Sequence, residues 1–438
     1  LSFGSCRHER VMENPSITSV IILNSQEKEP YVEEDSTMDR PNWSLLPLDI
    51  VTLISEELPL PHRICFHATC NAWNFATLLK PIPSPLLLVR NDESEHSDSC
   101  MFISPISEYF FTYFPIPELH GTHCVGSNAS WLAILDEQLD VSLLNLLTMT
   151  RIYLPSFITL PIYNPPCESK FSVTSFNDLL AYAPNNYRFK IFHDFVIKKV
   201  VFSSKPTIHS YIAMTLYGND PEIAYTKAGN DKWIFLGAPS TMEYYYEDIM
   251  YHDGKFYSIT SESEVQAFDL SGDYPVMMLL VERLAHNIEY LDKISGSIIN
   301  DLYNKYLACS SIGEMFLFLW HKDHIYYSKN GILPRPNDFI LMKVKPETSH
   351  CWATTKDMGN MCLFIGSNNS ILIPTKDLEG LKGDNIFSIE TIPDEEVGQY
   401  TRNVGYFNVK EERCEGFSES SKSPLYLKPP IWFTLSLH

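Results

Sequence analysis

The sequence predicts a mainly β fold preceded by a small α module, with the strands arranged as a β-propeller. Three observations carry this. Helical periodicity of apolar residues is confined to one stretch between Leu46 and Phe75. Beyond residue 86 it gives way to runs of four to eight residues rich in Val, Ile, Tyr and Phe, separated by Gly, Asn, Asp and Pro, which is the composition of strands and turns. Those runs group loosely into units of roughly 40 to 50 residues, the length of a four-stranded propeller blade.

Residues 1–40 mix Ser, Glu, Asp and Pro without a sustained period, and "EKEPYVEEDS" is acidic and turn-prone, so a flexible leader is expected there. From Leu46 the period turns helical. Leu46, Ile50, Leu53, Ile54 and Leu58 fall on one face, and Leu48 and Val51 widen it. Pro59 and Pro61 end this helix and start another, because proline lacks the amide that an interior helical position donates yet fits a first turn. The second helix carries two apolar stripes, Phe66, Cys70 and Trp73, and Ile64, Ala68, Ala72 and Phe75. "KPIPSPLLLV" then leads into the strands.

About twenty strand-like runs follow, among them "SWLAIL", "VIKKVVFS", "KFYSIT", "EVQAFDL" and "EMFLFLW". Residues 222–270 divide into four strands and are read as one blade, and 121–157 and 338–374 have similar layouts. A radial arrangement leaves few open sheet edges for so many short strands.

With 33 Lys plus Arg against 54 Asp plus Glu, the net charge of −21 repels phosphate backbones and anionic lipid. Nucleic acid and membrane are therefore not expected as partners, and no apolar run reaches the ~18 residues of a membrane span. Lys198-Lys199 and the lysines at 343–345 are read as solvated strand edges. The ten cysteines include no C-x-x-C pair, so buried free thiols in a reducing compartment, cytoplasmic or nuclear, are expected, with no metal or cofactor.

No nucleophile elbow, zincin or P-loop signature occurs. "HKDH" at 321–324 is more often a solvated loop than a metal site. In "YHDGKF" the Asp253-Gly254 pair is a hairpin-turn signal. Tyr244 to Tyr246, and Trp233, Trp320, Trp352 and Trp432, are read as packing residues before ligand contacts.

The helical stretch is the most informative part. About 30 residues cannot bury enough apolar area to fold alone, and each fully buried Leu or Ile is worth about 1.5–3 kcal/mol. Either another chain or the β domain of the same chain must cover these faces.

Residues 43–74 resemble an F-box, through Leu46-Pro47, Asp49-Ile50, Leu58 and Leu60, and "RICFHATCNAW" with Arg63, Phe66, Cys70 and Trp73. The second helix carries Cys65, His67, Asn71 and Asn74 where F-boxes of this group usually have basic residues. The remainder is similar to the KIB-type (kelch-like) β-propeller of plant F-box proteins, through residues 115–148, "EDIMYHDGKFYSIT", "CLFIGSNNSILIPTKDLEGLKGDNIF" and "KPPIWFTLSL". The resemblance implies an F-box at 41–80 and a propeller at 86–438. It also implies docking on a Skp adaptor through Leu46, Pro47, Ile50, Ile54, Leu58, Ile64, Cys70 and Trp73, and through the adaptor a cullin-RING ligase. The propeller would hold a target protein and perform no catalysis itself. The rival readings are an adaptor-independent binding protein with a degenerate F-box, and a propeller enzyme with polar side chains converging at the axis.

Overall fold

The computed structural model describes residues 42–58, 66, 73, 85–90, 99–103, 114–136, 138, 140–146, 148–161, 197–218, 221–237, 244–282, 303–321, 339–345, 351–366, 369–378, 380–394, 399–416 and 431–434. The leader expected at 1–40 lies outside them. Residues 1–46 and 47–438 form two separate compact units.

Helix Leu48–Glu57 (α1) precedes the six sheets formed among the described residues. The first is built from Leu86–Arg90 (β1), Ser99–Ile103 (β2) and Phe114–Pro115 (β3). The second holds His123–Asn128 (β4), Trp131–Leu135 (β5), Val141–Asn145 (β6) and Arg151–Tyr153 (β7). The third holds Ile197–Phe202 (β8), Ile212–Tyr217 (β9), Glu222–Lys227 (β10) and Ile234–Phe235 (β11). The fourth holds Tyr246–His252 (β12), Lys255–Thr260 (β13), Val265–Asp269 (β14) and Val276–Val281 (β15). The fifth holds Tyr303–Cys309 (β16), Met315–His321 (β17), Phe339–Lys345 (β18) and Cys351–Thr354 (β19). The sixth holds Met361–Ile365 (β20), Ile371–Pro374 (β21), Asn385–Asp394 (β22), Gln399–Asn408 (β23) and Arg413–Gly416 (β24). Finally Ile431–Phe433 (β25) returns to pair antiparallel with β1.

The core explains why this is a ring. Six apolar clusters each join two consecutive sheets, and the last joins the sixth sheet to the first. Alternate residues of one strand serve opposite neighbours: Leu86 and Leu88 of β1 pack toward the second sheet, whereas Leu87 packs toward the sixth. Likewise Val200 and Phe202 of β8 face the second sheet and Val201 the fourth. A blade buried on both faces needs strands that are apolar at every position, which is why "VIKKVVFS" and "EMFLFLW" show no alternation. Among the described residues the fold is thus a propeller of six sheets, with the mainly β character and N-terminal helix that the sequence predicts.

Tryptophans staple the joins. Trp233 Nε1 donates to Pro155 O across the second and third blades, Trp352 Nε1 to Ser263 O across the fifth and fourth, and Trp432 Nε1 to Ile365 O across the first and sixth, all at 2.9 Å. These three and Trp320 are buried. At Gly126 the backbones of β4 and β8 approach so closely that a Cβ would meet Val200 O at 1.9 Å. Asp253 and Gly254 form the β12–β13 turn with φ of 44° and 78°, the left-handed pair a tight hairpin needs. Tyr246 is buried beside Gln266.

Two sequence expectations are corrected. Residues 222–270 are not one blade: Glu222–Lys227 and Ile234–Phe235 end the third sheet, and the hairpin from Tyr246 begins the fourth. Residues 338–374 similarly straddle the fifth and sixth, while 121–157 does match one blade. Strand count sets the repeat length but not its phase. The second correction is Lys199, which is buried, not a solvated edge: β8 lies inside the ring, and Lys199 Nζ meets Asp248 Oδ1 at 2.5 Å. Asp248 Oδ2 in turn accepts the Leu307 amide at 2.9 Å, so one carboxylate links three consecutive blades. Lys343 is half-exposed and paired with Glu314 at 2.6 Å.

Candidate functional site

Helix α1 starts after Pro47, whose missing amide hydrogen costs nothing at a helix N-terminus. The Pro47 carbonyl accepts from Ile50 and Val51, and Asp49 sits in the first turn, where the helix dipole favours a negative charge. The helix ends at Leu58, whose amide reaches Ser55 O. Leu46 and Leu58 therefore flank the helix instead of extending its stripe.

The apolar residues divide between two faces. Val51 and Ser55, one turn apart, are buried. On a neighbouring face Ile50, Leu53 and Ile54, related by i, i+3 and i+4, are 39%, 57% and 38% exposed; Leu48, one turn before Val51 on the Val51 side, is 45% exposed at the helix start. Pro47 is exposed, and Leu46 and Leu58 are half-buried. Trp73 is half-buried and stacks on Phe66 with ring centroids 4.5 Å apart. Ile64 and Cys70 lie outside the described residues. An uncompensated branched aliphatic face of this kind can bind another apolar surface and has no functional group for catalysis.

Leu53 belongs to this face although the resemblance did not single it out; its place in the i+3 pattern was the available signal. Trp43 and Leu45, 62% and 76% exposed, sit in a short 3₁₀ turn held by Asn42 Oδ1, which accepts from the Ser44 amide and hydroxyl.

Several charged groups of the propeller interior pair with one another. Besides Lys199 and Asp248, Lys305 Nζ donates to Glu247 Oε1 at 3.1 Å and to Ser261 O at 2.8 Å. His252 is half-buried, and its burial depresses the imidazole pKa against the opposing pull of Asp253. His321 meets the Tyr303 ring edge-on, and the rest of "HKDH" lies outside the described residues. Among the described residues no group of three or more His, Cys, Asp or Glu could hold a metal ion. Cys100, Cys124, Cys309 and Cys362 are free thiols. Burial pushes the Cys309 thiol up to about 11 and the Cys362 thiol up to about 12, so neither carries appreciable thiolate at neutral pH.

Comparison with known proteins gives one family match, to the KIB1-4 beta-propeller, over residues 102–408. The F-box protein KIB4 of Arabidopsis thaliana is 24% identical over 417 residues, covering 89% of this chain and 94% of its own. A second Arabidopsis thaliana protein that carries an F-box name, At2g33190, is 23% identical over 366 residues, covering 80% and 86%. Among solved structures, YCF48 from Cyanidioschyzon merolae aligns with a TM-score of 0.31 at 9% identity, covering 78% of this chain and 75% of that one.

Proposed function

The chain belongs to the KIB1-4 beta-propeller family, whose members among its relatives are plant F-box proteins, and from that membership we propose that it is the substrate-receptor subunit of a Skp-cullin-F-box ubiquitin ligase. The observation that carries this reading is the exposed face of α1, Ile50, Leu53 and Ile54, on a helix whose adjoining face, Val51 and Ser55, is buried. An F-box module at 41–80 would dock on the Skp adaptor through Pro47, Ile50 and Ile54, with Leu46, Leu58, Ile64, Cys70 and Trp73 at or behind the contact. The propeller, within 86–438, would present a protein target. Such a subunit needs no catalytic group, because holding the target beside the ubiquitin-loaded enzyme supplies proximity and orientation. The cytosol and nucleus, where free thiols persist, are the compartments this role fits.

The test is co-purification of the full chain with a Skp adaptor, native against Ile54→Asp. The native chain is expected to form a stoichiometric complex, and the variant is expected to lose at least tenfold in affinity with an unchanged circular dichroism spectrum. A native chain that forms no complex removes the ligase reading.

A further inference from the structure

Among the described residues each of the six sheets ends on its outer side in one strand, and five of these outer strands are short. β3 and β11 have two residues, β7 three, and β19 and β24 four; short or charged edge strands discourage pairing with other chains. The sixth departs from the pattern. β15 is six residues long, reads "VMMLLV", and carries no charge. Its consecutive residues Val276, Met277, Met278 and Leu279 are 61%, 53%, 55% and 47% exposed. Since successive side chains of a strand point to opposite faces, both faces of β15 are exposed, and among the described residues no strand pairs with its outer edge.

We propose that β15 is a docking edge for an extended segment of a partner protein, which adds to the fourth blade as a fifth, antiparallel strand. Main-chain hydrogen bonds would supply the affinity, and alternate apolar side chains, packed among the adaptable methionines, would supply selectivity. A second copy of this chain is the wrong occupant on charge grounds: each copy carries −21, and like charges oppose pairing. The ends of the strand are acidic as well. At one end Glu282 is exposed, and Glu264 stands beside it because Val265 pairs with Val281. At the other end are Asp269, opposite Val276, and Asp273. Lys227, whose amine donates to Gly272 O, and Lys255 offset part of that second end. Even with Arg283 next to Glu282 in the chain, the Glu264–Glu282 end keeps a net negative charge, whereas the two lysines balance Asp269 and Asp273 at the other. An antiparallel incoming strand places its N-terminal end there, so the partner segment is apolar at alternate positions with basic residues on its N-terminal side. The inference requires a protein partner for the propeller but not adaptor docking, so peptide binding and adaptor co-purification can fail separately.

The probe is a fluorescent peptide, Lys-Lys-Thr-Val-Thr-Val-Thr-Val, titrated into the full chain at low salt, beside its Glu-Glu counterpart and a peptide with the two lysines at the C-terminal end. The N-terminally basic peptide is expected to bind saturably, at least tenfold tighter than the acidic one and several-fold tighter than the reversed one. Met278→Lys should weaken it at least tenfold without lowering the unfolding midpoint, since the site is exposed. Hydrogen exchange on the native chain adds a measurement free of substitutions: amides within 276–279 should gain protection on peptide addition. Absence of saturable binding, equal binding of all three peptides, full protection of these amides before addition, or a concentration-dependent dimer abolished by Met278→Lys would each overturn the proposal.

Discussion

The inner strands of the propeller hide charge, while α1 and β15 display oil. Lys199, Asp248 and Lys305 are less than 5% exposed, yet each has named partners on a neighbouring blade. Ile50, Leu53 and Ile54 of α1, and Val276 to Leu279 of β15, stand in water. Each arrangement inverts the usual distribution, and the two inversions teach different things. A buried charge is tolerated where the same chain supplies its counter-charge and hydrogen bonds, so it marks an internal joint. An exposed aliphatic face has no such compensation, so it marks a place where something outside the described structure belongs. Only the second kind points to function.

The internal joint can be broken first, and with the largest effect. Asp248→Ala leaves the Lys199 ammonium buried and the Leu307 amide without its acceptor, so unfolding stability should fall by about 3–5 kcal/mol. The paired change Lys199→Met with Asp248→Asn removes the charge and keeps an acceptor, and it should recover most of that loss, because buried ion pairs are often no better than well-packed neutral replacements. Urea midpoints of the three chains decide this. If the double variant is as unstable as Asp248→Ala, the pair does more than satisfy itself.

The helix offers a comparison within ten residues. Val51→Asp forces a carboxylate into a buried site and should cost about 2–4 kcal/mol. Ile54→Asp, on the exposed face, should change stability by no more than about 0.5 kcal/mol while it removes adaptor binding. Thermal melts beside the co-purification assay separate the two. Equal destabilisation by both substitutions would mean that the Ile54 face is packed within the chain in solution.

These contrasts also explain what the sequence could disclose. The strands were legible because fully buried blades demand unbroken apolar runs: "VIKKVVFS" and "EVQAFDL" lie where β8 and β14 form. The blade boundaries were not, because β11 is only two residues long and the joint between the third and fourth blades leaves no stronger turn signal than a hairpin within a blade. Lys199 was misread because a lysine in a strand signals an edge unless its counter-ion is known, and Asp248 lies on another blade. The face of α1 was visible in the i, i+3, i+4 spacing, since periodicity records which residues share a side. It does not record which side the chain itself covers, and that required Val51 and Ser55 to be seen buried. β15 shows the same limit: "VMMLLV" has the composition of a core strand, and only its place at the rim distinguishes it.

The smallest expected effect concerns charge at the surface, the counterpart of the buried pair. Asp357 lies in the loop after β19, where the Gly359 amide and the Lys410 ammonium, 3.2 Å away, hold its carboxyl below the usual carboxylate range. Lys410 also reaches Asp384 Oδ2 at 2.8 Å, and its own pKa is raised by both carboxylates. A depressed folded-state pKa stabilises the native chain above the unfolded value of about 3.9 and is lost as pH falls through the lower folded value. Asp357→Asn should therefore reduce the urea midpoint slightly at pH 6, and the difference from the native chain should vanish as pH drops below the folded-state pKa. Both side chains of the Asp357–Lys410 pair are largely exposed, so 0.5 M salt should shrink the difference at pH 6, whereas the Asp248→Ala effect should barely respond to salt. A difference that survives acid would assign the role of Asp357 to its hydrogen-bonded turn geometry, which asparagine would then fail to reproduce, and not to its charge.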